Sequence, residues 1–292
     1  MQPASAVSAD TAGAKNPSPH LRRGHSHAVS VKRRWVLAAP ALLLARGAGA
    51  LELGTVGLAQ GGLVVGRAAV GTRLTLDGRA LRVSPAGDFA FGFGRDHGEG
   101  AVLTVDGRAQ RLTIVRRQWS VQHITGLPPA QVTPDAAALA RINAEREQLG
   151  RARATDSALA GFTEAFLRPA EGRISGVFGS QRVLNGQPRQ PHYGYDIAAP
   201  TGTPALAVAS GRVVLSASFF FFGELVVIDH GHGINSLYAH LSRRDVTEGQ
   251  DVARGQRIGA TGATGRVTGP HLHFSLSWFQ TWLDPAPVLA PA

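Results

Sequence analysis

The sequence predicts a mostly β protein: a small β-sandwich-like domain, a linker helix, and a second strand-rich domain at the C-terminus. Three observations carry this. Gly (36) and Pro (17) are abundant, which favours turn-rich strands over a helical bundle. Short apolar alternations broken by Asp-Gly fill residues 51–121. One Ala-, Arg- and Glu-rich stretch, from Asp135 to about Arg153, reads as helix. A length of 292 residues suits about two domains. With 43% apolar and 17% charged residues, wholesale disorder is excluded.

In chain order, the first element is an export signal. Lys32-Arg33-Arg34 precedes an apolar run from Trp35 to Ala45, and Ala48-Gly49-Ala50 follows. A basic start, a short apolar stretch and an A-x-A site make residues 1–50 a signal peptide with an unstructured N-terminal extension. The paired arginines resemble a twin-arginine signal. Met1 is the only Met, and the long polar stretch before Lys32 places the expected start nearer Val29 or Val31. The apolar run falls short of the roughly 18 residues of a membrane span. The mature chain is therefore expected in the periplasm or cell envelope, with no membrane span once the signal is removed. The chain has no Cys, which excludes disulfides, thiolate zinc sites and Cys nucleophiles.

The formal charge of +10 divides unevenly. Residues 1–50 hold seven basic residues and one acid, so +6 sits there and +4 on residues 51–292. No basic stripe with interleaved aromatics appears, which argues against a nucleic-acid partner. The mildly cationic body suits an anionic polymer such as a cell wall.

Residues 51–127 form the expected small β-domain. Leu74-Thr75-Leu76-Asp77-Gly78-Arg79-Ala80 recurs as Leu103-Thr104-Val105-Asp106-Gly107-Arg108-Ala109. Asp-Gly between alternating apolar residues marks a two-residue hairpin, so two hairpins are expected, with Asp77 and Asp106 as turn formers. His97 and His123 are isolated and read as ordinary polar groups. Pro128-Pro129 marks a break, and residues 128–169 form the helical linker. There Thr133 is the expected cap, with Pro134 in the first turn and Leu139, Ile142 and Leu149 as the apolar face. Pro169 and Gly172 open the last domain, residues 170–292.

That domain holds the chemistry. His192 and Asp196 fall on one side of an extended segment, about 13 Å apart if it is straight, and Gly194 between them allows a bend. His271 and His273 share one face of a strand, with Leu272 and Phe274 opposite. His240 lies in a third segment, Leu237 to Leu241, and His230-Gly231-His232-Gly233 reads as a turn. Two histidines and a carboxylate suffice as a three-ligand catalytic zinc set. Further histidines nearby would handle the proton and the developing oxyanion. Spacing alone leaves open which of His271 and His273 binds the metal.

Several segments together resemble the lysostaphin-type (LytM-like) zinc metallopeptidases. They are Ser175-Gly176-Val177-Phe178-Gly179, Arg182 to Gly186, Pro191 to Pro204, and Gly211-Arg212-Val213. Tyr238-Ala239-His240-Leu241, Gly255-Gln256, Gly262 to Gly265, and Gly269-Pro270-His271-Leu272-His273-Phe274 complete the set. The resemblance covers about residues 172–286 and implies a small antiparallel β-sheet peptidase with a narrow groove. It implies Zn2+ held by His192, Asp196 and His273, with His240 and His271 as the catalytic pair. It implies a substrate among peptidoglycan stem or crossbridge peptides, with a D,D-endopeptidase expected. The alternative is a non-catalytic wall-binding or amidase-activating module, which some family members are. All five residues are present here, which favours the enzyme.

Three features fall outside that set. His230 and His232 are assigned a structural role. Phe219-Phe222 either fills the core or rims the groove. Arg182, Asn185 and Arg189 lie in a loop, as substrate contacts or as solvated surface.

Overall fold

The computed structural model describes residues 41–44, 51–54, 57–126 and 135–291. Ala38–Ala292 form one compact unit. Apart from Ala41–Leu44, the expected export signal lies outside the described residues, as do Thr133 and Pro134. No helix among the described residues is long and apolar enough to cross a membrane.

Two four-stranded antiparallel sheets make the first half. One combines β1 (Ala41–Leu44), β2 (Leu51–Gly54), β3 (Leu63–Arg67) and, beyond two intervening strands, the Asp88–Gly92 strand. The other is built from β4 (Leu74–Leu76), β5 (Arg79–Leu81) and the pair β7 (Gly100–Val105) and β8 (Arg108–Thr113); Asp88–Gly92 is β6. The predicted hairpins are β4–β5 and β7–β8. Their turns hold positive φ at Asp77 (46°), Gly78 (83°), Asp106 (47°) and Gly107 (83°), the backbone that a two-residue primed turn demands. The repeat has a second purpose. Asp77 Oδ1 accepts from the Val102 amide at 2.7 Å and Asp106 Oδ1 from the Arg73 amide at 2.9 Å, so each turn anchors to the other hairpin.

β9 (Val121–Ile124) leaves this half and pairs in parallel with β11 (Gln181–Leu184) of the second half. The two halves also share a core. Phe89, Phe91, Phe93 and Leu103 belong to the same buried cluster as Tyr238, Phe274, Leu276 and Leu283. A Cβ on Gly92 would lie 2.6 Å from the Leu283 side chain, and Arg117 Nη1 pairs with buried Asp284 at 2.7 Å.

The helix α1 spans Ala136–Arg153. Its cap is Asp135, in place of the expected Thr133: the Asp135 carboxylate accepts from the Ala138 amide at 2.8 Å and satisfies one of the orphan donors of the first turn. Ile142 and Leu149 are buried, but Leu139 is 46% exposed. The helix rests on the large sheet through Leu149 and Ala152 against Leu215, Phe219 and Leu237.

That sheet has ten strands: β10 (Arg173–Gly176), β13 (Tyr195–Ala198), β14 (Pro204–Leu206), β15 (Gly211–Phe219), β16 (Gly223–Gly231), β17 (Ile234–Arg244), β18 (Asp251–Val252), β19 (Arg257–Thr261), β20 (His271–Trp278) and β21 (Thr281–Leu283). β12 (Gln187–Pro188) pairs instead with β11. The main order is β10-β13-β20-β17-β16-β15-β18, antiparallel throughout, and this places β20 between β13 and β17. Phe219 ends β15 and Phe220–Phe222 form the turn into β16. Four bulky rings are thus spread over a strand end and a hairpin tip, not stacked along one buried strand.

Candidate metal centre

Antiparallel register brings the centre together. Asp196 on β13 faces His273 on β20 directly, and Ala239 on β17 flanks His273 from the other side. His192 precedes β13 in a bend, not in a straight strand. Gly194 makes this bend possible, because a Cβ there would lie 2.2 Å from the His273 ring. The bend carries His192 Nε2 to 3.0 Å from Asp196 Oδ1. His273 Nδ1 lies 2.8 Å from the same oxygen and 3.1 Å from His192 Nε2. Ligands on a tetrahedral zinc at about 2.0–2.1 Å stand about 3.3 Å apart. The trio is thus within about half an ångström of zinc geometry, and all three side chains are buried.

The hydrogen bonds around the trio decide which atoms face its centre. A backbone carbonyl can only accept, so His192 Nδ1–H donates to Val177 O (3.1 Å) and leaves Nε2 bare. His273 is turned the other way, with Nδ1 in the cluster and Nε2 2.9 Å from Ser275 Oγ. Such outer partners fix ring orientation and tautomer at metal sites. Burial opposes ionisation of Asp196, but the close approach of His192 and His273 outweighs it and holds the carboxyl well below its usual range. Burial pushes His273 down. A carboxylate beside the neutral imidazole of His273 is the protonation state that a divalent ion requires. Asp196 Oδ2, the outer oxygen, meets Arg182 Nη2 at 3.2 Å.

His240 and His271 stand beside the trio. Their rings lie 4.8 Å apart, and His240 is 5.8 Å from the His273 ring. His271 Nε2 is 3.9 Å from Asp196 Oδ1, outside the tight cluster. Each donates Nδ1–H to a carbonyl at 2.8 Å, His240 to Thr264 and His271 to Gly269. Both therefore present a bare Nε2 that accepts a proton. Burial and the neighbouring His273 and His271 push His240 well down, so it is neutral near pH 7. His240 sits at φ 61°, a left-handed conformation that costs a non-Gly residue about 1–2 kcal/mol. The reason is a change of partner. β17 pairs with β20 through Ala239 and with β19 from Leu241, and His240 is the joint. Its amide donates to Phe222 O at 2.8 Å.

The five residues singled out by sequence thus occupy one site. Phe222 joins them, 5.9 Å from the His273 ring, so one ring of the four-Phe run lines the centre while Phe219 is buried. His230 and His232 lie elsewhere. His230 bridges Ser210 O (2.9 Å) and Ser236 Oγ (2.7 Å), and His232 turns between β16 and β17 with its ring 4.4 Å from Phe162. Sequence reasoning missed Ser275, Thr264 and the carbonyls of Val177 and Gly269. Ser275 was within reach: it lies two residues after His273, on the same strand face.

Comparison with known proteins follows the same segment. Residues 190–285 match the model of peptidase family M23. Over 105 residues the chain is 48% identical to the peptidoglycan DD-endopeptidase ShyA of Vibrio cholerae, covering 36% of this chain and 24% of that protein. Over 119 residues it is 40% identical to the DD-carboxypeptidase/endopeptidase Mpg of Neisseria meningitidis, covering 41% and 27%. The chain thus spans about a quarter of the length of these curated relatives. The crystal structure of a Pseudomonas aeruginosa protein assigned to peptidase M23 superposes with a TM-score of 0.60 at 30% identity, covering 78% of this chain and 93% of that one.

Proposed function

Because the chain belongs to peptidase family M23, we propose that it is an exported zinc metalloendopeptidase that hydrolyses peptide bonds in peptidoglycan stem or crossbridge peptides. A D,D-endopeptidase is the specific reading, supported by the names of the relatives ShyA and Mpg. Action on the cell wall puts the protein in the periplasm or cell envelope.

The observation that carries this is the convergence of His192 Nε2, Asp196 Oδ1 and His273 Nδ1 within 2.8–3.1 Å of one another, beside two further imidazoles with bare Nε2 atoms. His192, Asp196 and His273 would hold the ion. Zinc bound there supplies a Lewis acid for the scissile carbonyl and lowers the pKa of water. His240 and His271 handle the proton. A neutral Nε2 takes it from the attacking water, and the imidazolium so formed donates to the developing oxyanion or to the leaving amine. Anchoring by Thr264 and Gly269 keeps both rings aimed without reorganisation. Phe222 lines the centre beside the His273 ring.

The alternative of a non-catalytic wall-binding or amidase-activating module is not favoured, since nothing in the ligand or catalytic set is missing. Zinc-loaded protein incubated with purified sacculi should release cleaved muropeptides, identified by mass spectrometry, and chelation should stop the release. Intact crosslinks after incubation with a fully zinc-loaded chain would reject the proposal.

A further inference from the structure

Three arginines come from segments that flank the metal centre. Arg182 on β11 reaches Asp196 Oδ2 at 3.2 Å. Arg189 follows β12, and its amide donates to Arg182 O at 2.9 Å, so the two residues sit opposite each other on one hairpin. Its guanidinium meets Gln187 Oε1. Arg266 comes from the loop between β19 and β20. Its amide donates to Phe221 O at 2.9 Å, and its guanidinium lies 4.1 Å over the Phe221 ring. Two residues earlier in that loop, Thr264 O holds His240. Burial and the like charges of Arg182 and Arg189 lower Arg266 to about 10. Like charges brought together beside a substrate site are relieved by an anion. The guanidinium fork fits a carboxylate in two-point contact, and partial burial strengthens such a pair over one in water.

We propose that Arg182, Arg189 and Arg266 form a carboxylate subsite that selects peptides bearing a free carboxylate next to the scissile bond. The inference rests on the peptidase reading and names the substrate feature that the site recognises. Arg182 also contacts Asp196, a proposed ligand, and its substitution would disturb the centre itself, so Arg189 and Arg266 are the members tested.

The test measures binding apart from turnover. A crosslinked muropeptide dimer with free stem-peptide carboxylates, and the same dimer with carboxamides, are titrated into the zinc-loaded full chain carrying His271→Ala. The carboxylate dimer should bind about tenfold more tightly, as one charge-assisted pair provides, and the preference should shrink as salt rises. Adding Arg266→Gln or, separately, Arg189→Gln should bring the ratio towards one with zinc content unchanged, while Arg266→Lys retains part of it. Equal affinity for the two dimers, no measurable binding of either, or a ratio unchanged in both Gln variants would overturn the proposal. If the ratio holds while the zinc-loaded native chain cleaves neither dimer, the subsite stands and the hydrolase reading falls.

Discussion

Gly194 lies where any side chain would strike the imidazole of His273: a Cβ built there would stand 2.2 Å from Cε1. The residue between His192 and Asp196 is thus fixed by the third member of the trio. Overpacking of this kind costs about 1–3 kcal/mol, and here it would fall on a ring proposed to hold the ion. Gly194→Ala should weaken zinc binding about tenfold or more, read by competition with a chromophoric chelator. Unchanged affinity would show that the bend has slack.

Ser275 is the outer partner of His273, at 2.9 Å from Nε2. Outer partners of this type are worth about 10–100-fold in metal affinity or activity. Ser275→Ala should lose zinc within that range while leaving the melting temperature of the metal-free protein within a few degrees. An unaltered zinc dissociation constant would remove Ser275 from the account.

His240 is expected to act on the proton and not on the ion. His240→Ala should keep zinc at wild-type stoichiometry and lower turnover of muropeptides by about 10²–10⁴. Loss of zinc in this variant would mean that the roles within the site are wrongly divided.

The site and the fold were legible in the sequence to different degrees. The Asp77-Gly78 and Asp106-Gly107 hairpins were readable because a primed turn needs positive φ and few residues supply it. The pairing of His271 with His273 followed from strand alternation, and the bend at Gly194 from the absence of a Cβ. The joint at His240 was not readable, because a strand that changes partners leaves no residue pattern. The parallel β9–β11 pairing was hidden for the same reason: it joins backbone groups 60 residues apart at Val121 and Gln181. Sequence does not separate Asp135 from Thr133 as the cap, since both residue types cap helices. Spacing alone puts Leu139 on the buried face, yet α1 turns Ile142 and Leu149 inward and leaves Leu139 outside. The anchors at Val177, Thr264 and Gly269 are carbonyls, which every residue has.

His230 makes acid stability a separate test. It is fully buried between Ser210 and Ser236, with Glu164 the charged group nearby, and burial lowers it to about 4. A depressed histidine is neutral in the fold and charges more readily in the unfolded chain. Its contribution is complete above pH 6.5 and is lost as pH falls from there through about 4, amounting to about 3 kcal/mol. The zinc-loaded protein should melt several degrees lower at pH 5 than at pH 7.5, and His230→Asn should flatten part of that slope. Identical slopes would show that His230 does not carry the acid limb.

The most direct measurement is anomalous diffraction at the zinc edge from crystals of the zinc-loaded protein. One peak per chain is predicted, about 2.0–2.2 Å from His192 Nε2, Asp196 Oδ1 and His273 Nδ1, with His240 and His271 unliganded. No peak there, or one coordinated by His271 in place of His273, would contradict the assignment on which the function rests.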